Sequence, residues 1–273
     1  MSKPMYPKIN IFKNYRRNLI DAQYSEDIPN ITVKISLEYM LHALNISEKW
    51  DHCLDIGGGS GHYLTSFSQY FKKATLVEIT NHEEHEKLKQ NHSNIQIFQD
   101  LIENYNNREV ADFILLADIY EHIPDIKAFV EKIAALQTYG GVVYIMTPNP
   151  LKCGPAPESA IYYKEKTYGH IKHYTTEEIV ILMKKNGYEL MFLTYEEGPV
   201  RSKVKRIIYG LSRRDKRFSK NFLYRWFKPV LFLLVTPLLK GLEILTYHSE
   251  SKLRDNKYKT TTQNLAFKKI YGA

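Results

Sequence analysis

Short apolar runs that alternate with helical patterns constrain this chain more than any other feature. "HCLDI" (52–56), "ATLVEI" (74–79), "NIQIFQD" (94–100), "DFILLAD" (112–118), "VVYIM" (142–146) and "YELMFLTY" (188–195) read as strands. A helix over 31–46 comes first, with Ile35, Tyr39 and Leu41 to Leu44 on one side. Between the strands, Leu64, Phe67 and Phe71 recur at helical spacing. Residues 125–138 place Ile126, Phe129, Val130, Ile133 and Leu136 on one face and stop at Gly140-Gly141. Thr175-Thr176-Glu177-Glu178 fits a capping box that opens a helix ending at Asn186-Gly187. Such alternation predicts a mostly parallel sheet with helices on both faces, a doubly wound α/β architecture. Residues 198–258 break the pattern, and "NLAFKKI" (264–270) then reads as a strand returning to the sheet. The expected organisation is one domain over 1–273. It has a ligand-binding core at 31–197, a helical insertion at 198–258 and a closing strand within 259–273.

With 273 residues, 44% of them apolar, the chain can bury a sizeable core. Cys53 and Cys153 do not make a disulfide framework, which points to a reducing compartment. "MSKPMYPKINIFKNYRRN" has no apolar core of a secretory signal. The longest strong apolar run, "PVLFLLVTPLL" (229–239), has 11 residues, short of a bilayer span. A cytoplasmic protein, or one peripheral on the inner face of a membrane, is expected. The net charge of +8 is local: Arg201 to Lys228 holds eleven basic residues against Asp215 alone, a balance of +10.

"LDIGGGSGH" places Gly57, Gly58, Gly59, Ser60 and Gly61 directly after the first strand. A strand, a glycine turn and a helix let backbone N–H groups approach a nucleotide-like ligand. A dinucleotide turn would carry a sixth-position glycine, where this chain has His62. Asp55 precedes the turn and can meet a cationic group; Glu78 follows the second strand and can hold ribose hydroxyls; Asp100 closes the third and can accept from an adenine amino group. Three acids around one glycine turn suit a cationic, non-phosphorylated nucleoside better than a pyrophosphate.

These residues resemble the class I S-adenosylmethionine-dependent methyltransferases, in particular the ubiquinone-biosynthesis-like, type 11–23 methyltransferase domains. The matching pieces are "LDIGGGSG", Glu78, Asp100, "DFILLADIYEHIPD", "GGVVYIMTPNP" and "GHIKHYTTEEI", in family order over about residues 31–197. The resemblance implies a seven-stranded Rossmann-like sheet and S-adenosylmethionine as cofactor. It implies that Asp55, Gly57, Gly59 and Gly61 hold the methionine and ribose portion, with Glu78 on the ribose, Asp100 near the adenine and Asp118 beside them. A dinucleotide-binding oxidoreductase with a degenerate turn is the competing reading.

The fourth strand runs into "DIYEHIP", at the expected ligand crevice. In ubiquinone-biosynthesis O-methyltransferases and small-RNA 2′-O-methyltransferases, a similar acidic-x-x-E-H stretch binds a divalent metal. The RNA enzymes add a histidine from a segment resembling "GHIKHYT". The resemblance therefore implies Asp118, Glu121, His122 and His170 as ligands of Mg²⁺ or a similar ion. The alternative makes His122 or His170 a metal-free catalytic group on the acceptor. "NHEEHEKLKQNH" reads as a solvated helix rather than a metal patch, and Asn149 of "TPNP" as an acceptor contact or part of a rigid turn.

In the insertion, "FLYRWFKPVLFLLVTPLLKGLEIL" (222–245) adjoins the basic stretch, a pattern that suits an interface with anionic lipid. Peripheral membrane contact through 201–245, a cover for a long apolar acceptor, a helical lid and a dimer contact all fit. A continuous apolar run suits nucleic acid poorly. The expected function is O-methylation of a glycan, a lipid-linked saccharide or a quinone-like lipid. The alternatives are a small-molecule or RNA methyltransferase, or a non-catalytic membrane-associated binder of the cofactor.

Overall fold

β-branched and aromatic runs with apolar residues on both faces form strands here because helices cover both sides of the sheet. The computed structural model describes residues 30–46, 49–106, 109–154, 170–204, 238, 241–242 and 245–271. Among them, seven strands make one sheet: β1 (Trp50–Ile56), β2 (Phe71–Val77), β3 (Ile95–Phe98), β4 (Ala111–Ala117), β5 (Gln137–Pro148), β6 (Tyr188–Glu196) and β7 (Thr262–Lys269). Their order is β3-β2-β1-β4-β5-β7-β6. β7 lies antiparallel between β5 and β6, and the other pairings are parallel. The helices among the described residues include α1 (Asn30–Ala43), α2 (His62–Phe67), α3 (Glu84–Asn91), α4 (Ile126–Ala135) and α5 (Thr176–Lys185).

Alternate residues of each strand feed two cores. Leu54, Ile114, Val143 and Phe267 pack with Phe129, Val130 and Ile133 of α4 and with Ile179 and Met183 of α5. Cys53, Phe113, Tyr144 and Ala266 pack on the opposite side with Leu37 and Met40 of α1, Leu64 of α2 and Leu88 of α3. Each large apolar side chain so buried contributes about 1.5–3 kcal/mol. The strand order reverses at β1 and β4, so the turns leaving their C-terminal ends face one crevice.

Several boundaries differ from the sequence pattern. Phe71 begins β2 rather than continuing a helix, because α2 ends at Phe67 and a 3-10 turn over Ser68–Tyr70 follows. α4 stops at Ala135, well before Gly140-Gly141, and those glycines lie within β5. The Lys269 ammonium donates to the Ala134 and Gln137 carbonyls at 2.6 and 3.0 Å, covering the helix C-terminus in place of a glycine cap. β3 ends at Phe98, leaving Asp100 in the following loop. Among the described side chains of α1, Leu37, Met40 and Leu41 are buried and Leu44 partly so, while the expected Ile35 lies outside the described side chains. The capping box at Thr175 and Glu178 is present as expected.

Arg201 opens the basic stretch but is not solvated: it is buried, and its Nη1 donates to Glu196 Oε2 at 3.1 Å. Most of the segment 222–245 lies outside the described residues. No helix among the described residues is long and apolar enough to cross a membrane.

Candidate active site

The glycine turn leaves β1 at Ile56, and Gly57, Gly59 and Gly61 all take positive φ. Two neighbouring glycines serve different ends. A Cβ at Gly58 would run into the Asp55 carboxyl and Leu76, so the missing side chain is what lets Asp55 lie under the turn. A Cβ at Gly59 (φ +56°) would meet nothing within 4 Å, so the turn is open on that side. The Gly59 peptide is held from both ends: its N–H donates to Glu78 Oε2 at 2.9 Å, and His85 Nε2–H donates to its carbonyl at 2.9 Å. Glu78 also accepts from the Thr80 N–H through Oε1 at 2.8 Å.

Asp55 is 0% exposed, and among the described residues neither of its carboxyl oxygens has a hydrogen-bond partner. Burial, with the nearby charge of Glu78, pushes its carboxyl up to about 8. A buried acid without a partner beside an open backbone cradle suits a ligand that brings a cation. The residues therefore fit S-adenosylmethionine, which carries both a sulfonium and an ammonium. Asp55, Glu78 and the 57–61 turn would hold it. Asp100 sits further out and is exposed. Its Oδ1 accepts from Asn104 Nδ2 and the Leu101 N–H, which hold the carboxyl below the usual range.

The glycine contrast is testable. Gly58→Ala is expected to cost stability and cofactor binding together, because the new methyl displaces Asp55. Gly59→Ala is expected to cost stability by roughly 1–2 kcal/mol for its left-handed backbone, and to lose cofactor binding as the methyl enters the open cradle. Thermal unfolding beside calorimetric titration with S-adenosylhomocysteine separates the two.

A second cluster forms where β4 ends. The turn Tyr120–His122 carries Glu121 inward, where it is 1% exposed and Oε2 accepts from Thr147 Oγ1 of β5 at 2.9 Å. Its backbone carbonyl accepts the Ile171 and Lys172 N–H groups at 2.8 and 3.3 Å, tying residues 170–172 to the crevice. The His122 and His170 rings meet edge to face with centroids 4.6 Å apart. His170 Nδ1 lies 2.7 Å from His173 Nε2, and His173 Nδ1 lies 2.7 Å from the Gly154 carbonyl.

Burial and the Asp118 charge push Glu121 up to about 8; burial, with His122 and His173, pushes His170 down to about 4. Glu121 Oε1 and His170 Nε2 are 4.0 Å apart, beyond hydrogen-bond reach. Both shifts favour uncharged forms, so at neutral pH this is a neutral pair rather than an ion pair.

One ligating atom each from Glu121, His122 and His170 lies within 4.8 Å of the others. Asp118 is not a member of that group. It is exposed where the chain leaves β4 with φ +54°, and acts on Glu121 through its charge. The resemblance-based set of four is thus reduced to three, two imidazoles and one carboxyl. Such donors suit zinc or a similar transition ion better than Mg²⁺, which prefers oxygen.

Among single residues, one reading is decided, one changes and two residues are added. Asn149 is structural: its Nδ2 donates to the Lys257 and Thr260 carbonyls, and its Oδ1 accepts the Leu151 N–H. His85 is buried under the glycine turn, not on a solvated face. Thr147 and His173 join the site through Glu121 and His170.

The buried acids give the cofactor-free protein a pH signature. Asp55 and Glu121 each hold a proton in the folded state up to about 8, which the unfolded chain releases near pH 4. His170 acts in the opposite sense below about pH 6.5, because only the unfolded chain then protonates it. From pH 7 to 8 the carboxyls outweigh the depressed imidazoles of His52, His170, His173 and His248, which are then mostly uncharged in both states, and stability is expected to fall by up to about 1.4 kcal/mol per pH unit for each carboxyl. Denaturant unfolding at both ends of that window measures it; equal stability at the two ends would contradict the buried protonated acids.

A family profile described as "Methyltransferase domain" matches residues 34–191. No curated protein matches the sequence. A protein of Galdieria sulphuraria described as a sarcosine dimethylglycine methyltransferase shares the fold with a TM-score of 0.60 at 16% identity, over 88% of this chain and 86% of that one. The 1,6-didemethyltoxoflavin-N1-methyltransferase of Burkholderia thailandensis, solved with S-adenosylhomocysteine, gives 0.55 at 12% identity over 99% and 94%. The N-methyltransferase NodS of Bradyrhizobium japonicum, also solved with S-adenosylhomocysteine, gives 0.53 at 9% identity over 93% and 98%. With more than half of its length inside the family profile, the chain belongs to the methyltransferase-domain family and is an S-adenosylmethionine-dependent methyltransferase.

Proposed function

We propose that the protein transfers the methyl group of S-adenosylmethionine to a hydroxyl oxygen of a glycan, a lipid-linked saccharide or a quinone-like lipid at a membrane surface. The observation that carries this reading is the neutral His170 beside buried Glu121, at the crevice that also holds the glycine turn. When bound, the cofactor supplies a methyl group activated on a sulfonium. Transfer then depends mostly on in-line placement of the acceptor, and a weak base suffices. His170 stays unprotonated down to about pH 4, so it can take a hydrogen bond, then a proton, from the acceptor hydroxyl. A divalent cation held by Glu121, His122 and His170 would supply Lewis acidity to the same oxygen. The basic and apolar composition of 201–245 supports an acceptor at the inner face of a membrane.

A second reading, a small-molecule N-methyltransferase, is favoured by the N-methylating relatives of this fold. Labelled methyl transfer from S-adenosylmethionine into separate membrane and soluble extracts, each with and without chelator, tests both. Label in a lipid-extractable fraction is the expected result. Label confined to soluble amines would replace the proposal with the second reading. Label that survives the chelator would leave the histidine without a cation. Cofactor binding with no transfer to either extract would favour the non-catalytic binder.

A further inference from the structure

His173 is 4% exposed and meets His170 at the edge of the crevice, with its Nε2 2.7 Å from His170 Nδ1. Its two ring nitrogens have different partners, and those partners decide where the protons sit. The Gly154 carbonyl can only accept, so His173 Nδ1 must carry a proton and donate it at 2.7 Å. In the neutral ring Nε2 then carries a lone pair. That lone pair, 2.7 Å from His170 Nδ1, obliges His170 to donate from Nδ1. The lone pair of neutral His170 is therefore on Nε2, the nitrogen 4.0 Å from Glu121. The opposite tautomer of His170 would set two lone pairs against each other across that 2.7 Å contact.

We propose that His173 is a positioning residue: the relay from the Gly154 carbonyl through His173 to His170 fixes the tautomer of His170 and aims its Nε2 lone pair into the crevice. This deepens the methyl-transfer reading and rests on it for the role of His170. The arrangement follows the general rule that an imidazole used by a cation or a reacting proton has its other nitrogen held by a hydrogen bond. Residues 170–172 supply the second constraint, because the Ile171 and Lys172 N–H groups hold the segment against the Glu121 carbonyl. Ring orientation and tautomer are thus set from opposite ends of one short segment.

The test uses the full chain, labelled with ¹⁵N-histidine and saturated with S-adenosylhomocysteine. Two-bond ¹H–¹⁵N correlations report the tautomer of each of the 10 histidines, and a His170→Asn variant assigns the resonance. Wild type is expected to show His170 protonated on Nδ1. His173→Phe keeps a ring but removes both hydrogen bonds, and is expected to lose that tautomer. His173→Gln is expected to keep it, since its amide can donate to Gly154 and accept from His170. Methyl transfer into the extract that labels with wild type should fall about 10- to 100-fold in the Phe variant and recover in the Gln variant, with binding of S-adenosylhomocysteine unchanged in both. An Nδ1–H His170 surviving in His173→Phe would overturn the proposal. So would a lost tautomer with undiminished transfer. If wild type labels neither extract, the acceptor reading fails, and the spectra still decide the relay.

Discussion

Asp55→Asn is expected to weaken S-adenosylmethionine binding about 10- to 100-fold, the cost of replacing a charge-assisted contact with a neutral one. The reasoning starts from its isolation. The carboxyl is fully buried, its oxygens have no hydrogen-bond partner among the described residues, and its pKa is raised to about 8. At pH 7 the free protein therefore keeps Asp55 protonated. A cationic ligand favours the carboxylate, so binding should release close to one proton, and affinity should fall as pH drops below about 8. Titration calorimetry in buffers of different ionisation enthalpy counts that proton directly. In Asp55→Asn the proton release and the pH dependence that Asp55 causes should vanish while the weakened binding remains measurable. Wild-type affinity and proton release in the variant would mean that Asp55 does not face the cofactor.

His170→Ala should lower methyl transfer by about 100- to 10,000-fold, the usual range for a positioned acid–base group, without altering S-adenosylhomocysteine affinity. Glu121→Gln then separates the two chemistries open to this cluster. Glu121 holds its proton up to about 8 and accepts from Thr147. A glutamine resembles that neutral acid and can still accept from Thr147. If the imidazole works without a cation, the variant should keep most of its activity. If a cation is held by Glu121, His122 and His170, the loss should match His170→Ala, because an amide is a poor ligand beside two neutral imidazoles. Full activity in His170→Ala would remove the histidine from the reaction.

Much of this was legible because the informative contacts are local. Asp55 and the glycines share one strand and turn, and Glu121 and His122 are adjacent in the chain. Thr175 and Glu178 cap a helix three residues apart. Periodicity found the strands because helices cover both sheet faces. The misread features depend on partners remote in sequence. α4 ends earlier than Gly140-Gly141 suggest, with an end carbonyl met by Lys269, 135 residues beyond Ala134. The buried role of His85 was hidden by its acidic neighbours, since its partner is the Gly59 carbonyl, 26 residues earlier. Asp118 fits a ligand pattern in one dimension, yet it is exposed at the end of β4 and is not in the group formed by Glu121, His122 and His170.

The sequence by itself determined the doubly wound class, the position of the glycine turn and the order of elements, because each follows from hydrophobic period and turn chemistry within a few residues. Tertiary structure alone decided which side chains meet across the crevice and which are uncharged there. Gly58 is needed because Asp55 folds beneath it, and His173 matters because a carbonyl and a second imidazole fix its protons. Protonation state depends on burial and on the direction of hydrogen bonds, and neither exists until distant segments pack together.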